Sequence, residues 1–159
     1  MEFGDRALGN RSILADPREE GMNDRVNATV KYREPFRPFA PSVLAEHVDN
    51  YFENPQPAPY MERVLSIYPE MRKKIPAVTH IDGTGRLQTV YEDFNPRYHE
   101  LIEEFFNLTG IPLILNTSFN LKGEPIVCTP EDAIKTFYSS GLDVLVLGDF
   151  LVRKPTTQK

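Results

Sequence analysis

At 159 residues, 40% of them hydrophobic, the chain has the size of one domain and enough apolar material for a real core. Its net charge of -5 and pI near 5.2 argue against general nucleic-acid binding, which shows a basic footprint, so any anion site must be local. No apolar run of about eighteen residues and no charged-then-apolar leader occur, which gives a cytoplasmic expectation; a single cysteine, Cys128, and the scattered His47, His80 and His99 give neither an internal disulfide nor zinc spacing, so no metal site is expected.

In chain order, "EFGDRALGNRS" comes first, with Gly4 and Gly9 permitting close backbone approach; a short helix here would bring Arg6 and Asn10 onto one face. Asp16-Pro17-Arg18-Glu19 reads as a helix cap, and Met22, Val26 and Val30 fall at i, i+4 and i+8 on the helix it would begin, with Lys31 at its C-terminal end. Prolines between Asn54 and Pro59 mark an irregular connection, and "AVTHIDGTGRLQTV" reads as a hairpin around Asp82-Gly83-Thr84-Gly85. Asn95-Pro96 then opens a helix carrying Tyr98, Leu101, Ile102, Phe105 and Leu108 at helical spacing, until Gly110 stops it. "IPLILN" is the continuous apolar run of a strand buried on both faces, and "NTSFNLKGEP" breaks it. Thr129-Pro130-Glu131-Asp132 opens a further helix with a capping box, carrying Ala133, Ile134 and Phe137, before the strand "DVLVLG". Alternating helix and strand predicts a βαβ crossover with parallel strands; with the hairpin, the expectation is an α/β domain with a mixed sheet.

Four of these stretches could carry chemistry, and each has a plainer reading. In "NTSFNLKG" the hydroxyls of Thr117 and Ser118 and the amides of Asn116 and Asn120 lie where an apolar strand ends, the place at which α/β sheets bind ligands; a self-stabilising turn is the alternative. "KYREPFRPFAP" holds Lys31, Arg33 and Arg37 among Pro35, Pro38 and Pro41, so its cations sit on a stiff segment and lose little freedom on binding a polyanion; the equal alternative has Lys31 serving the helix dipole and Arg33 and Arg37 solvated. Arginine's planar fork matches phosphate oxygens in bidentate fashion, whereas Lys31 is a point charge. Arg6, Asn10 and Arg11 form the N-terminal group, for which surface pairing of Arg6 with Glu2 is the plainer reading. "HIDGTGR" is read as a turn, with His80 and Asp82 structural.

Taken together, "EFGDRALGNRSILADPR", "KYREPFRPFAPS", "THIDGTGRLQTV" and "GIPLILNTSFNLKGEPIVCTPEDA" resemble, in this order, the C-terminal domain of the NodU/CmcH-type O-carbamoyltransferases over nearly the whole chain. The resemblance implies a YrdC-like twisted mixed sheet with flanking helices, sharing a Lys-x-Arg and Ser-x-Asn pair with threonylcarbamoyl-adenylate synthases; here these are Lys31-Tyr32-Arg33 and Ser118-Phe119-Asn120. It implies that ATP and carbamoyl phosphate give carbamoyl adenylate, with Mg2+ accompanying ATP. A larger N-terminal domain of actin-like ATPase fold would pass the carbamoyl group to a hydroxyl acceptor. That domain is absent from this sequence, and Met1 opens inside the first motif, so a fragment is expected. On this reading Lys31, Arg33, Ser118 and Asn120 are catalytic, and Arg6, Asn10, Arg11, Arg37, Asn116 and Thr117 bind nucleotide or carbamoyl phosphate, by positioning and electrostatics rather than by a protein nucleophile. The family commonly has proline where Asp5 stands, which places an acid beside Arg6. A catalytically silent nucleotide-binding module and an RNA-binding relative remain alternatives, the acidic pI weighing against the second.

Overall fold

The computed structural model describes residue 4 and residues 6–32 and 37–155. Its main sheet has five strands in the order β1 (Ser12–Ala15), β5 (Leu113–Ser118), β2 (Ala40–Leu44), β4 (Thr84–Val90) and β3 (Arg63–Ser66). β5 runs antiparallel to both neighbours, β3 antiparallel to β4, and β2 with β4 is the one parallel pair among the described residues. The expected mixed α/β architecture is therefore present.

Register divides the sheet into two unlike faces, because cross-strand partners share a face and successive residues alternate. One face carries Val43, Leu87, Leu113 and Leu115, packed with Phe39, Phe52, Ile67, Ile75 and Val78 into the largest core cluster. Met22 and Val26 of helix α1 (Met22–Val26) join it, and Met71 of the short helix α2 (Pro69–Arg72) packs against it. The other face carries Leu44, Val90 and Ile114 at one end, under Tyr98 and Ile102 of helix α3 (Pro96–Thr109). Toward the opposite end the same face turns polar, with Ser42, Gln88, Asn116 and Ser118. A third cluster joins Ile13, Val30, Phe119 and Val127 to Ala133 and Phe137 of helix α4 (Pro130–Tyr138).

The two capped helices form where their signals place them. The Asn95 side chain accepts the Tyr98 N–H, and Gly110 closes α3 with φ 75°. Leu101 and Leu108, which share the helical spacing, are 45% and 84% exposed: they lie at the flank of a stripe wider than the sheet can cover. In α4, Ile134 is likewise exposed while Ala133 and Phe137 are buried.

Three expectations are corrected. Asp16 does not cap a helix; its carboxylate accepts the Arg18 backbone N–H and guanidinium, closing a local turn, and α1 begins only after Gly21. That helix then widens into a π turn, Asn27–Lys31, where the Tyr32 N–H reaches the Asn27 carbonyl at 2.7 Å. Residues 77–81 are not a strand: a short helical turn, Pro76–Val78, leads to an Asx turn in which Asp82 accepts from the Thr84 N–H and hydroxyl, and β4 instead pairs with β3. The strand after α4, β6 (Val144–Leu147), does not return to the main sheet; it pairs antiparallel with β7 (Phe150–Arg153). Its alternation, with Leu145 buried between exposed Val144 and Val146, belongs to a half-covered hairpin rather than to a parallel strand covered on both faces. No helix among the described residues is long and apolar enough to cross a membrane.

The α4 capping box supplies a test. The Asp132 carboxylate accepts the N–H groups of Cys128 and Thr129, at 3.1 and 3.0 Å, and these bonds hold it below the usual carboxylate range. A depressed folded-state pKa stabilises fully above the unfolded value near ~3.9 and ceases to do so as pH falls through the folded value. Asp132→Ala should lower Tm by about 2–4 °C at neutral pH, with the gap to wild type closing below about pH 4. A gap unchanged by acid in calorimetric melts would contradict the capping account.

Candidate functional site

Lys31, from the π turn, is only 6% exposed and is joined to a segment 87 residues away. Its Nζ donates to the Ser118 carbonyl at 2.5 Å and Oγ at 3.1 Å, and to the Asn120 Oδ1 at 2.7 Å and carbonyl at 3.3 Å. The Ser118 hydroxyl itself donates to Asn120 Oδ1 at 2.7 Å, and Asn120 Nδ2 donates to the Glu124 carbonyl at 2.7 Å, so the oxygens facing the ammonium are fixed in turn. The segment holding them leaves the sheet at the end of β5 under the pull of Phe119, which is buried in the third cluster. The Phe119 N–H bonds the Arg11 carbonyl and its carbonyl takes the Val127 N–H.

One residue pair further into the sheet, three buried polar side chains hold down the N-terminal arm. Asn116 Nδ2 donates to the Ala7 carbonyl at 3.1 Å and Gln88 Nε2 to the Leu8 carbonyl at 3.0 Å. The two amides are linked to each other at 2.9 Å, and both to Ser42 Oγ. Side-chain amides here do the work of a missing strand, giving donors to carbonyls that cannot reach water. Gly9 completes the path: its φ is 124°, its N–H bonds Ser12 Oγ at 3.0 Å, and a Cβ would stand 2.5 Å from the Tyr98 ring.

The sequence-derived candidates are placed as follows. Lys31, Ser118 and Asn120 converge in one cradle. Arg11 adjoins it, since Ser12 is the register partner of Ser118, and its guanidinium donates to the Gly4 carbonyl at 3.2 Å. Arg6 is exposed, immediately before the pinned Ala7, and no helix forms among the described residues of this arm, so Arg6 and Asn10 are not set on one helical face. Arg37 is exposed just ahead of β2, whose Ala40 faces Asn116. Asn116 directs its amide at the arm rather than toward Lys31, and Thr117, opposite Ile13, lies on the other face of the sheet. Arg33 lies outside the described residues. Asn10 accepts from Asn95 Nδ2 at 3.4 Å and lines both of two clefts. One, of about 640 Å³, runs between the arm, α3 and the β6–β7 hairpin; the other, of about 570 Å³, is lined by Tyr60, Gln88, Tyr91 and Phe94. Neither is lined by Lys31.

Sequence reading missed Ser42 and Gln88; the signal was a polar residue inside an otherwise strand-like run, as in "GRLQTV". It also passed over Arg86, which shares the Gln88 face of β4, two residues nearer the end at which Ser118 lies. Burial pushes the His80 imidazole down from its usual range, Asp82 opposing the shift and nearby Arg86 adding to it. Among the described residues, no group of three or more His, Cys, Asp or Glu side chains is placed to hold a metal ion.

Fold and site define an α/β domain whose polar half-face gathers a lysine, a serine and an asparagine at the end of the central strand. The chain belongs to the carbamoyltransferase C-terminus family, whose model matches residues 1–154. It is 52% identical over 158 residues to nodulation protein NolNO of Sinorhizobium fredii, covering 98% of this chain and 23% of that protein. It is 52% identical to nodulation protein NolO of Bradyrhizobium diazoefficiens, covering 96% of this chain and 28% of the relative. With nodulation protein U of Rhizobium tropici it shares 48% identity over 122 residues, 77% of this chain and 21% of the other. The chain thus spans about a quarter of the length of these relatives.

The amide pins generate a prediction. Gln88→Leu leaves the Leu8 carbonyl without its donor and the Ser42 hydroxyl without its acceptor, and should cost about 1–3 kcal/mol of stability. Hydrogen exchange at Gly9 should quicken by more than that of β5, because the arm is released before the sheet opens. Unchanged protection at Gly9 would show that the arm is held by something else.

Proposed function

We propose that this chain forms carbamoyl adenylate, with Lys31, Ser118 and Asn120 at the reacting centre. Family membership supports a role in carbamoyl transfer; the observation carrying the finer reading is the buried Lys31 cradle, built from segments distant in sequence and bordered by the arginine-bearing arm. Carbamoyl phosphate takes up water and releases phosphate, giving carbamate. A carbamate oxygen then attacks the α-phosphorus of ATP, and pyrophosphate leaves. Neither step needs a protein nucleophile. Both need two polyanions held together while charge grows on their oxygens, which is the task of fixed cations and hydrogen-bond donors.

On this reading Lys31 stabilises charge at the reacting centre, Ser118 and Asn120 fix its position and bond the carbamate, and Arg6, Arg11, Arg33 and Arg37 clamp phosphates. Mg2+ enters on the ATP phosphates with few protein ligands. Transfer to a hydroxyl acceptor, with release of AMP, falls to a separate N-terminal domain, consistent with the greater length of the relatives. A reaction fed by ATP and carbamoyl phosphate belongs in the cytoplasm.

Pyrophosphate release from ATP and Mg2+, measured with and without carbamoyl phosphate, tests the reading on this chain and on its full-length protein. Release should depend on carbamoyl phosphate, and since the adenylate has no acceptor and hydrolyses with water to AMP and carbamate, the products from this chain should be AMP and pyrophosphate without carbamoylated acceptor. Lys31→Met, which keeps the apolar stem and removes the ammonium, should slow release by about 10²-fold or more while the variant remains folded. Wild-type chains that bind ATP but release no pyrophosphate would leave a silent nucleotide-binding module.

A further inference from the structure

We propose that the Asn27 side chain recognises the carbamoyl group; the proposal rests on the carbamoyl-phosphate reading above. Asn27 is 8% exposed, and neither its Oδ1 nor its Nδ2 has a hydrogen-bond partner among the described residues. A buried carboxamide with both ends unpaired is rare, because each group has given up water for nothing. Packing does not require it, since Met22, Val26 and Val30 supply the apolar contacts of this helix.

Its position supplies the reason. Asn27 begins the π turn that Lys31 ends, so the two stand at i and i+4, on neighbouring positions of one face. Asn23, a further turn back, also has a buried, unpaired Oδ1, so a polar row of Asn23, Asn27 and Lys31 runs beside the apolar row. Local widening of a helix is a feature that recurs at functional sites. The turn ends at Tyr32, whose φ of 47° lies in the left-handed region that a tyrosine adopts at a cost. Because the Asn27 amide is closed to water, admitting a ligand opens this turn, and Tyr32 is the residue at which it ends.

The chemistry selects the ligand group. A carboxamide presents one acceptor and one donor side by side, and a carbamoyl group presents the same pair, so the two can bond reciprocally in one plane. Phosphate oxygens accept only, and suit Lys31 and the arginines instead. Asn27 would thus read the amino group that separates carbamoyl phosphate from acetyl phosphate, in which a methyl stands in its place. A site that hydrogen-bonds an N–H strongly rejects the analogue lacking it.

The test compares wild type with Asn27→Leu, using pyrophosphate release driven by carbamoyl phosphate or by acetyl phosphate. The leucine variant should raise KM for carbamoyl phosphate at least about tenfold, leave KM for ATP unchanged, and lose the preference for carbamoyl over acetyl phosphate. Its Tm should equal or exceed that of wild type, because an unpaired buried amide has been removed. Asn27→Ser, smaller and still polar, supplies the same comparison if the leucine variant fails to fold. Wild-type KM and unaltered discrimination in a variant that still depends on carbamoyl phosphate would overturn the role of Asn27 and leave the parent reading standing. Absence of carbamoyl-phosphate dependence in the wild-type protein would overturn both.

Discussion

A lysine ammonium removed from water must be given back its hydrogen bonds, and the chain does this for Lys31 with oxygens from Ser118 and Asn120. Much else follows from that demand. β5 must end at Ser118, so that a carbonyl otherwise spent on the sheet ladder turns toward the lysine; Phe119 must be driven into a core to turn the chain; and Asn120 must be held by the Glu124 carbonyl. The helix delivering Lys31 widens in its last turn, which alters the angle at which that side chain leaves the backbone. An arrangement in which each member orients the next tolerates little independent change, as expected of a preorganised polar site.

The sheet is divided to serve this end. One face packs into the largest core cluster, with Thr89 buried in it and bonded to the Ala58 N–H, while the other is apolar only under α3 and polar toward the Ser118 end. The polar half is still roofed by protein, by an arm that has no strand of its own. Ser42, Gln88 and Asn116 make that roof possible, and Gly9 lets it pass Tyr98 without a clash. The arm carries Arg11 beside the Lys31 cradle, with Arg6 exposed just ahead of Ala7 and Asn10 on the two clefts. Stability and site are thus linked through buried amides rather than through surface ion pairs, which would contribute little.

Much of this was legible in the sequence, and the parts that were not share a cause. α3 and α4 could be read because both ends of the signal are local: Asn95 and Gly110 bracket one, and Thr129 with Asp132 opens the other. β5 could be read because a strand covered on both faces needs an unbroken apolar run. The partner of β6 could not, since alternation of helix and strand gives order but not pairing, and four residues with one buried position suit a detached hairpin. Asp16 misled because its nearest donors belong to Arg18, two residues on, and a local turn competes with a cap. For the site, the family resemblance joined Lys31 to Ser118 and Asn120, but their direct hydrogen bonding depends on a helix and a strand packing together. Gln88 and Ser42 were invisible because a polar residue in a strand is ordinarily turned outward; only register shows that theirs is the face the arm covers.

The central claim is that the Lys31 ammonium is the fixed cation at which an anionic ligand meets the Ser118–Asn120 turn. The most direct measurement follows the side-chain nitrogen resonance of Lys31, in protein carrying 15N-labelled lysine and assigned through Lys31→Met, during titration with Mg-ATP and with carbamoyl phosphate. The account predicts a saturable shift of that resonance together with the backbone amides of Ser118 and Asn120, following the same binding curve. Saturable ligand binding detected by calorimetry, with the Lys31 resonance unmoved, would contradict it.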